Sequence, residues 1–176
     1  RSPRDAIRAG MGMVTEDRKE QGLVLDLSVR ENTSLAALSA LSHAGFIDLT
    51  RERAVAQEYV THLGTRTPSV EQRVKNLSGG NQQKVVLSKW LLTHSRLLIM
   101  DEPTRGIDVG AKSEIYRLMN ALTAQGLGIL MISSELPEVL GMADRIVVVR
   151  EGRIVGEMGR AEATQEKIGQ LVIGLQ

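Results

Sequence analysis

The hexapeptide Leu97-Leu98-Ile99-Met100-Asp101-Glu102 sets two carboxylates at the end of a short apolar run. A run of that length bounded by polar residues reads as a buried parallel strand, and open α/β sheets bind their ligands at the carboxyl ends of such strands. An Asp there suits Mg²⁺, which prefers oxygen ligands and keeps much of its water. The adjacent Glu suits accepting a proton from, or orienting, a water that attacks a γ-phosphate. Earlier in the chain, Leu77-Ser78-Gly79-Gly80-Asn81-Gln82 puts two glycines at a helix start, where backbone N–H groups and the helix dipole stay open to a phosphate. Each motif alone has a plain reading as an acidic strand end or a capped helix with a glycine lead-in. Their pairing points to phosphoryl chemistry. A phosphate-binding P-loop is missing: between Gly106 and Ser113 the spacing is wrong and Ala111 stands where a glycine must precede Lys112. Lys112 is therefore expected as a solvated helix-start residue, and nucleotide binding needs a second piece of protein.

The elements that must hold these residues come from a chain of 176 residues, 42% hydrophobic and 24% charged, which fits one domain or a small core with an insertion. Lys+Arg of 22 against Asp+Glu of 21 leaves a net charge of +1, so nucleic acid is not expected as a partner. The aromatics are Phe46, Tyr59, Trp90 and Tyr116, too few for a base-stacking ladder. Cysteine is absent, which excludes disulfides and thiolate chemistry, and His43, His62 and His94 are scattered as surface or packing residues. No apolar run is long enough to span a bilayer, so any membrane role is expected to be peripheral. The start at Arg1-Ser2-Pro3, without Met or a secretion signal, reads as a piece of something longer.

Ser2-Pro3 with Asp5 and Gly10 predicts a short capped helix, and Met11 to Thr15 a brief strand. Residues 16 to 28 read as loop, Val29 to Leu41 as helix, and a helix from a Thr50 cap to Gly64 follows. The Ser-Gly-Gly turn opens a helix with Val85, Leu87, Trp90 and Leu91 on a broad apolar side. Ile115, Leu118, Met119 and Leu122 mark an amphipathic helix ending at Gly126. Gly128 to Ser133 reads as a strand, Glu135 to Met142 as a short helix, Arg145 to Arg150 as a strand, and Arg153 to Met158 as its hairpin partner. Alternating strands and helices argue for an α/β fold with a mostly parallel sheet, interrupted over about residues 27 to 94 by a helical insertion.

Leu77-Ser78-Gly79-Gly80, Leu98-Ile99-Met100-Asp101-Glu102-Pro103-Thr104 and Gly106-Ile107-Asp108, in this order, resemble the signature motif, Walker B strand and D-loop of an ATP-binding-cassette ATPase. Glu16-Asp17-Arg18-Lys19, Asn81-Gln82-Gln83-Lys84, Thr104-Arg105-Gly106-Ile107-Asp108 and Ser133-Ser134-Glu135 are similar to the second cassette of tandem bacterial sugar-importer ATPases of the ribose, galactose and xylose type. The resemblance extends over essentially the whole chain. It implies a partial P-loop NTPase core over about 1–26 and 95–176, a helical subdomain over about 27–94, and a P-loop segment that precedes Arg1 in the intact protein.

The resemblance also implies roles. Asp101 is the Mg²⁺-associated carboxylate, and Glu102 the base or water-orienting residue. Ser78, Gly79 and Gly80, followed by Asn81 and Gln82, close over ATP held by a partner cassette, while Asp108 communicates across the dimer face. Glu16 stands where many cassettes carry the Q-loop glutamine, near nucleotide and metal, and Ser134 replaces the switch histidine that contacts the γ-phosphate. Serine lacks the imidazole's charge and reach, and a carboxylate for an amide removes a donor. The implied cofactors are ATP and Mg²⁺. The implied partners are membrane permease subunits, a partner cassette and, indirectly, an extracytoplasmic sugar-binding protein, with the chain peripheral on the cytoplasmic face of the membrane. The function expected is carbohydrate import driven by ATP, the isolated chain being inactive. The alternative is a catalytically degenerate cassette that only supplies its signature motif to an active neighbour.

Overall fold

Ser2 and Pro3 start a short helix, α1 (Pro3–Arg8), in which the Asp5 carboxylate accepts hydrogen bonds from the Ser2 N–H (2.8 Å) and Oγ (3.2 Å). Gly10, at φ +80°, turns the chain into β1 (Met11–Val14). The computed structural model describes residues 2–174; Arg1, Leu175 and Gln176, at the ends of the expected span 1–176, lie outside the described residues.

The expected loop after β1 contains a turn of π-helix at Arg18–Gly22, capped by Asp17, whose carboxylate accepts from the N–H groups of Lys19 and Glu20. The expected helix through Leu41 breaks in two. Only α2 (Val29–Ser34) is α-helical, and a 3₁₀ turn follows at Leu38–Leu41. Asn32 and Ser34 explain the break. The Asn32 amide accepts from the Val24 N–H and donates to the Val24 and Ser28 carbonyls, and the single Ser34 hydroxyl proton lies within reach of the Glu52 carboxylate and the Glu31 carbonyl. Polar side chains that bond locally compete with helix continuation. A two-residue ladder of β2 (Ser42–His43) and β3 (Phe46–Ile47) appears where the sequence shows no strand signal, closed by Ala44 and Gly45 at positive φ. The next helix, α3 (Leu49–His62), is capped by Asp48 and not by Thr50, because Asp48 accepts the Arg51 N–H at 2.9 Å.

After a 3₁₀ turn at Val74–Asn76, Ser78 caps α4 (Gly79–Leu91). Next come β4 (Leu97–Asp101), the crossover helix α5 (Val109–Ala124) and β5 (Gly128–Ile132). Helix α4 is buried without interruption from Gln82 to Lys89, and α2, α3, α5 and β1 all pack on it. Strand β4 lies between β1 and β5 and runs parallel to both, with Val14 opposite Met100 and Asp101 opposite Ile132. Val14, Leu98 and Met100 are fully buried. Met13, Leu130 and Ile132 are exposed by 43%, 53% and 48%, so the apolar run of β4 belongs to a sheet covered on one face.

The chain divides into two compact units, one up to Ile132 and one from Ser133 onward. The second holds α6 (Leu136–Met142), β6 (Arg145–Arg150), β7 (Arg153–Gly159) and α7 (Gln165–Ile173), the last without a counterpart in the sequence reading. Strand β6 pairs antiparallel with β7 in a sheet of two strands, the hairpin that the sequence predicts. Glu151 and Gly152, both at positive φ, make a tight turn that offers β6 a partner at minimal loop entropy. Ile146, Val148 and Ile168 form this unit's core, with Leu136, Val139 and Leu171 against it. No helix among the described residues is long and apolar enough to cross a membrane.

Candidate functional site

Three segments distant in sequence meet at the start of α4. A Cβ on Gly79 would lie 2.7 Å from Arg18 Nη2 and 3.1 Å from the Gly106 carbonyl oxygen. A Cβ on Gly80 would lie 2.7 Å from Ala111 Cβ. The two glycines are therefore needed for close packing against the segment that begins α5, as well as for open N–H groups. Ser78 Oγ accepts from Asn81 Nδ2 at 2.9 Å, and Asn81 Oδ1 accepts the Arg66 N–H at 2.8 Å. Gln82, 4% exposed, donates through Nε2 to the Val74 carbonyl at 3.1 Å. Asn81 and Gln82 thus hold the turn to its surroundings.

The acidic strand end is shaped by its backbone. Asp101 closes β4 opposite Ile132, and both Asp101 and Glu102 are half-buried. Glu102 adopts φ +44°, its N–H donates to the Ile132 carbonyl at 2.9 Å, and its carbonyl accepts the Arg105 N–H at 3.0 Å. A non-glycine residue held in a sparsely populated region costs about 1–3 kcal/mol and persists only where its surroundings enforce it. Asp108 is exposed and caps α5, its carboxylate accepting the Ala111 N–H at 2.9 Å. Lys112, in the first turn of α5, is half-buried where a solvated residue is expected. Ser134 lies in the second unit on the exposed lead-in to α6, where Ser133 Oγ accepts the Glu135 N–H at 3.0 Å.

Two arginines that the sequence reading did not single out join these pieces. Arg18 Nη1 donates to the Arg105 carbonyl at 2.6 Å and Nη2 to the Gly106 carbonyl at 3.0 Å. Arg105 in turn forms an ion pair with Glu16. Burial pushes the Arg18 guanidinium below its ordinary value, with the neighbouring Asp17 charge acting in the opposite sense. A cavity of about 270 Å³ opens here, lined by Arg18, Lys19, Lys75, Leu77, Gly79 and Gly106 among others. No carboxylate lines it, so it suits an anionic group, with Lys75 also bonded to Asp26 at 2.6 Å. A second cavity shares Arg18, Lys19 and Gly106 and adds Glu16, Asp17 and Arg105. Among the described residues there is no group of three or more potential metal ligands. A single strand-end carboxylate at Asp101 still fits Mg²⁺, which is commonly held by one or two carboxylates, phosphate oxygens and water. The Glu16 carboxylate is engaged by Arg105.

Residues 2–105 match the family model described as ABC transporter. The chain belongs to the ABC transporter family. It is 58% identical over 168 residues to the ribose import ATP-binding protein of Oceanobacillus iheyensis, covering 96% of this chain and 34% of that one. It is 53% identical over 174 residues to the ribose import ATP-binding protein of Bacillus subtilis, covering 99% and 35%. To the xylose import ATP-binding protein of Geobacillus kaustophilus it is 56% identical over 168 residues, covering 96% and 33%. The chain thus spans about a third of the length of these curated relatives. Among solved structures it is similar to a nucleotide-free ATP-binding cassette of an ABC transporter, with TM-score 0.74 at 20% identity over 97% of this chain and 68% of that one. It is also similar to a putative metal-chelate type ABC transporter in an inward-facing conformation, with TM-score 0.79 at 15% identity over 94% and 64%. At these identities the likeness establishes the fold, that of part of an ATP-binding cassette in a family that binds nucleotide.

Proposed function

We propose that this chain is part of the ATP-binding subunit of a carbohydrate importer, in which ATP binding and hydrolysis at the cytoplasmic face of the membrane drive sugar uptake through a membrane permease. An extracytoplasmic sugar-binding protein would supply the sugar. The observation that carries the reading is the Ser78-Gly79-Gly80 turn at the N-terminus of the buried helix α4, packed on the turn that leaves the Asp101-Glu102 strand end. The relatives named for ribose and xylose import supply the substrate class.

In this reading residues 1–26 and 95–176 belong to the core and 27–94 to a helical subdomain. Asp101 would associate with Mg²⁺, which when bound neutralises charge on phosphate oxygens. Glu102 accepts a proton from the attacking water or orients it. Ser78, Gly79 and Gly80 cover ATP held by a partner cassette, with Asn81 and Gln82 holding the turn in shape, and Asp108 faces that partner. Glu16 would reach metal or nucleotide by exchanging its Arg105 partner, and Ser134 offers a hydroxyl where an imidazole is usual. In the full tandem protein Glu102→Gln is expected to lower ATP turnover about 100-fold or more. An unchanged rate excludes a catalytic role for Glu102.

The second reading, a silent cassette that only completes its neighbour's site, is favoured by Ser134 and by the Glu16–Arg105 pair. It requires that Glu102→Gln leave turnover intact while substitution of Gly79 abolishes it.

A further inference from the structure

We propose that Arg18 is a positioning residue: its guanidinium locks the Ser78-Gly79-Gly80 turn and the turn at residues 104–106 into one unit, so that the lid offered to a neighbouring ATP site follows the acidic strand end of this cassette. The role in turnover rests on the function proposed above; the lock itself does not.

The fork of Arg18 donates to two successive carbonyls, Arg105 at 2.6 Å and Gly106 at 3.0 Å, and its Nη2 occupies the space that a Cβ on Gly79 would need. A planar group with several fixed donors is suited to bridging two adjacent carbonyls in this way, which an ammonium cannot do with the same fixed geometry. Arg18 is 9% exposed, no carboxylate pairs with it among the described residues, and its Nε–H is buried without a partner. A buried cation in that state is a poor device for stability, since an apolar side chain of similar volume avoids the desolvation cost. What the guanidinium supplies and an apolar side chain cannot is register between peptides. The Glu16–Arg105 ion pair joins the segment that carries Arg18 to the turn at 104–106 a second time, with the donor on the other side. The Arg105 N–H also bonds to the Glu102 carbonyl, so a continuous chain of contacts runs from Glu102 through Arg105 and Arg18 to Gly79.

The test uses the full tandem protein and two substitutions. Arg18→Lys keeps the charge and removes the fork, and Gly79→Ala pushes a methyl group against the same guanidinium while residue 18 remains arginine. Amide hydrogen exchange is read over residues 77–82 and 103–108, with α3 as reference. Both variants are expected to lower protection in both segments by about tenfold or more while α3 is unchanged. Arg18→Lys is further expected to lower kcat about tenfold with KM for ATP within about twofold. Loss of protection in one segment alone, in neither, or throughout α3 in both variants overturns the proposal, as does a rise in KM at unchanged kcat. If Glu102→Gln leaves turnover intact while the two segments still lose protection together, the functional reading has failed and the lock stands.

Discussion

Glu102 combines a carboxylate with a backbone conformation that glycine adopts at no steric cost. Glu102→Gly is therefore expected to melt higher than Glu102→Ala, by the equivalent of about 1 kcal/mol, although both lack the carboxylate. Equal midpoints in thermal denaturation would show that the surroundings do not hold this φ against resistance. Other single groups set the acid limb of stability. Glu31 is held below the ordinary carboxylate value by hydrogen bonds from the Ser28 hydroxyl and N–H, Glu71 by Arg30 and then Arg53, and Glu114 by Lys84. A lowered folded-state value stabilises at pH above the unfolded value and is lost as pH falls through the folded one. Urea unfolding is thus expected to give a free energy with little carboxylate-linked change above about pH 5 that declines from about pH 4.5 downward. Glu114→Gln should make that decline shallower, and an unaltered slope would remove Glu114 from the account.

Among the elements, α4 and α5 meet where Gly80 faces Ala111, and this contact can be tested by exchange of methyl groups. Gly80→Ala adds helix propensity but forces a Cβ to 2.7 Å from Ala111 Cβ, so a net loss of about 1–3 kcal/mol is expected. Ala111→Gly should return most of that loss in the double variant, read by denaturant unfolding; additive losses would place the clash elsewhere. Elements with strong period and local caps were legible in the sequence: α1 from Ser2-Pro3-Asp5, β4 from its apolar run, α5 from Ile115, Met119 and Leu122. The break after α2 was not, because Asn32 and Ser34 turn inward to partners that the sequence does not reveal. The ladder of β2 and β3 is two residues per strand, too short for a period to register. Of the site, the motif residues were legible by type and spacing. The bonds from Arg18 to a turn 87 and 88 residues away were not, since nothing local in Glu16-Asp17-Arg18-Lys19 specifies a partner at that separation.

For the whole molecule, an all-parallel sheet ordinarily has both faces covered, whereas here Met13, Leu130 and Ile132 are presented to solvent. The 176-residue chain in isolation is expected to self-associate, and light scattering should report species heavier than one chain. Leu130→Glu with Ile132→Glu should reduce that association without lowering the melting temperature, and a monomeric parent chain would refute the expectation. The same chain is expected to hydrolyse ATP no faster than its Glu102→Ala variant, because a P-loop that would bind and orient the phosphates beside Asp101 and Glu102 is not among its motifs. Magnesium-dependent turnover by the purified chain would contradict this. The bond between the Glu102 amide and the Ile132 carbonyl lies wholly within the first unit, at its last residue. Fraying of β5 at its last residue would therefore release the amide of Glu102 and let its positive φ relax.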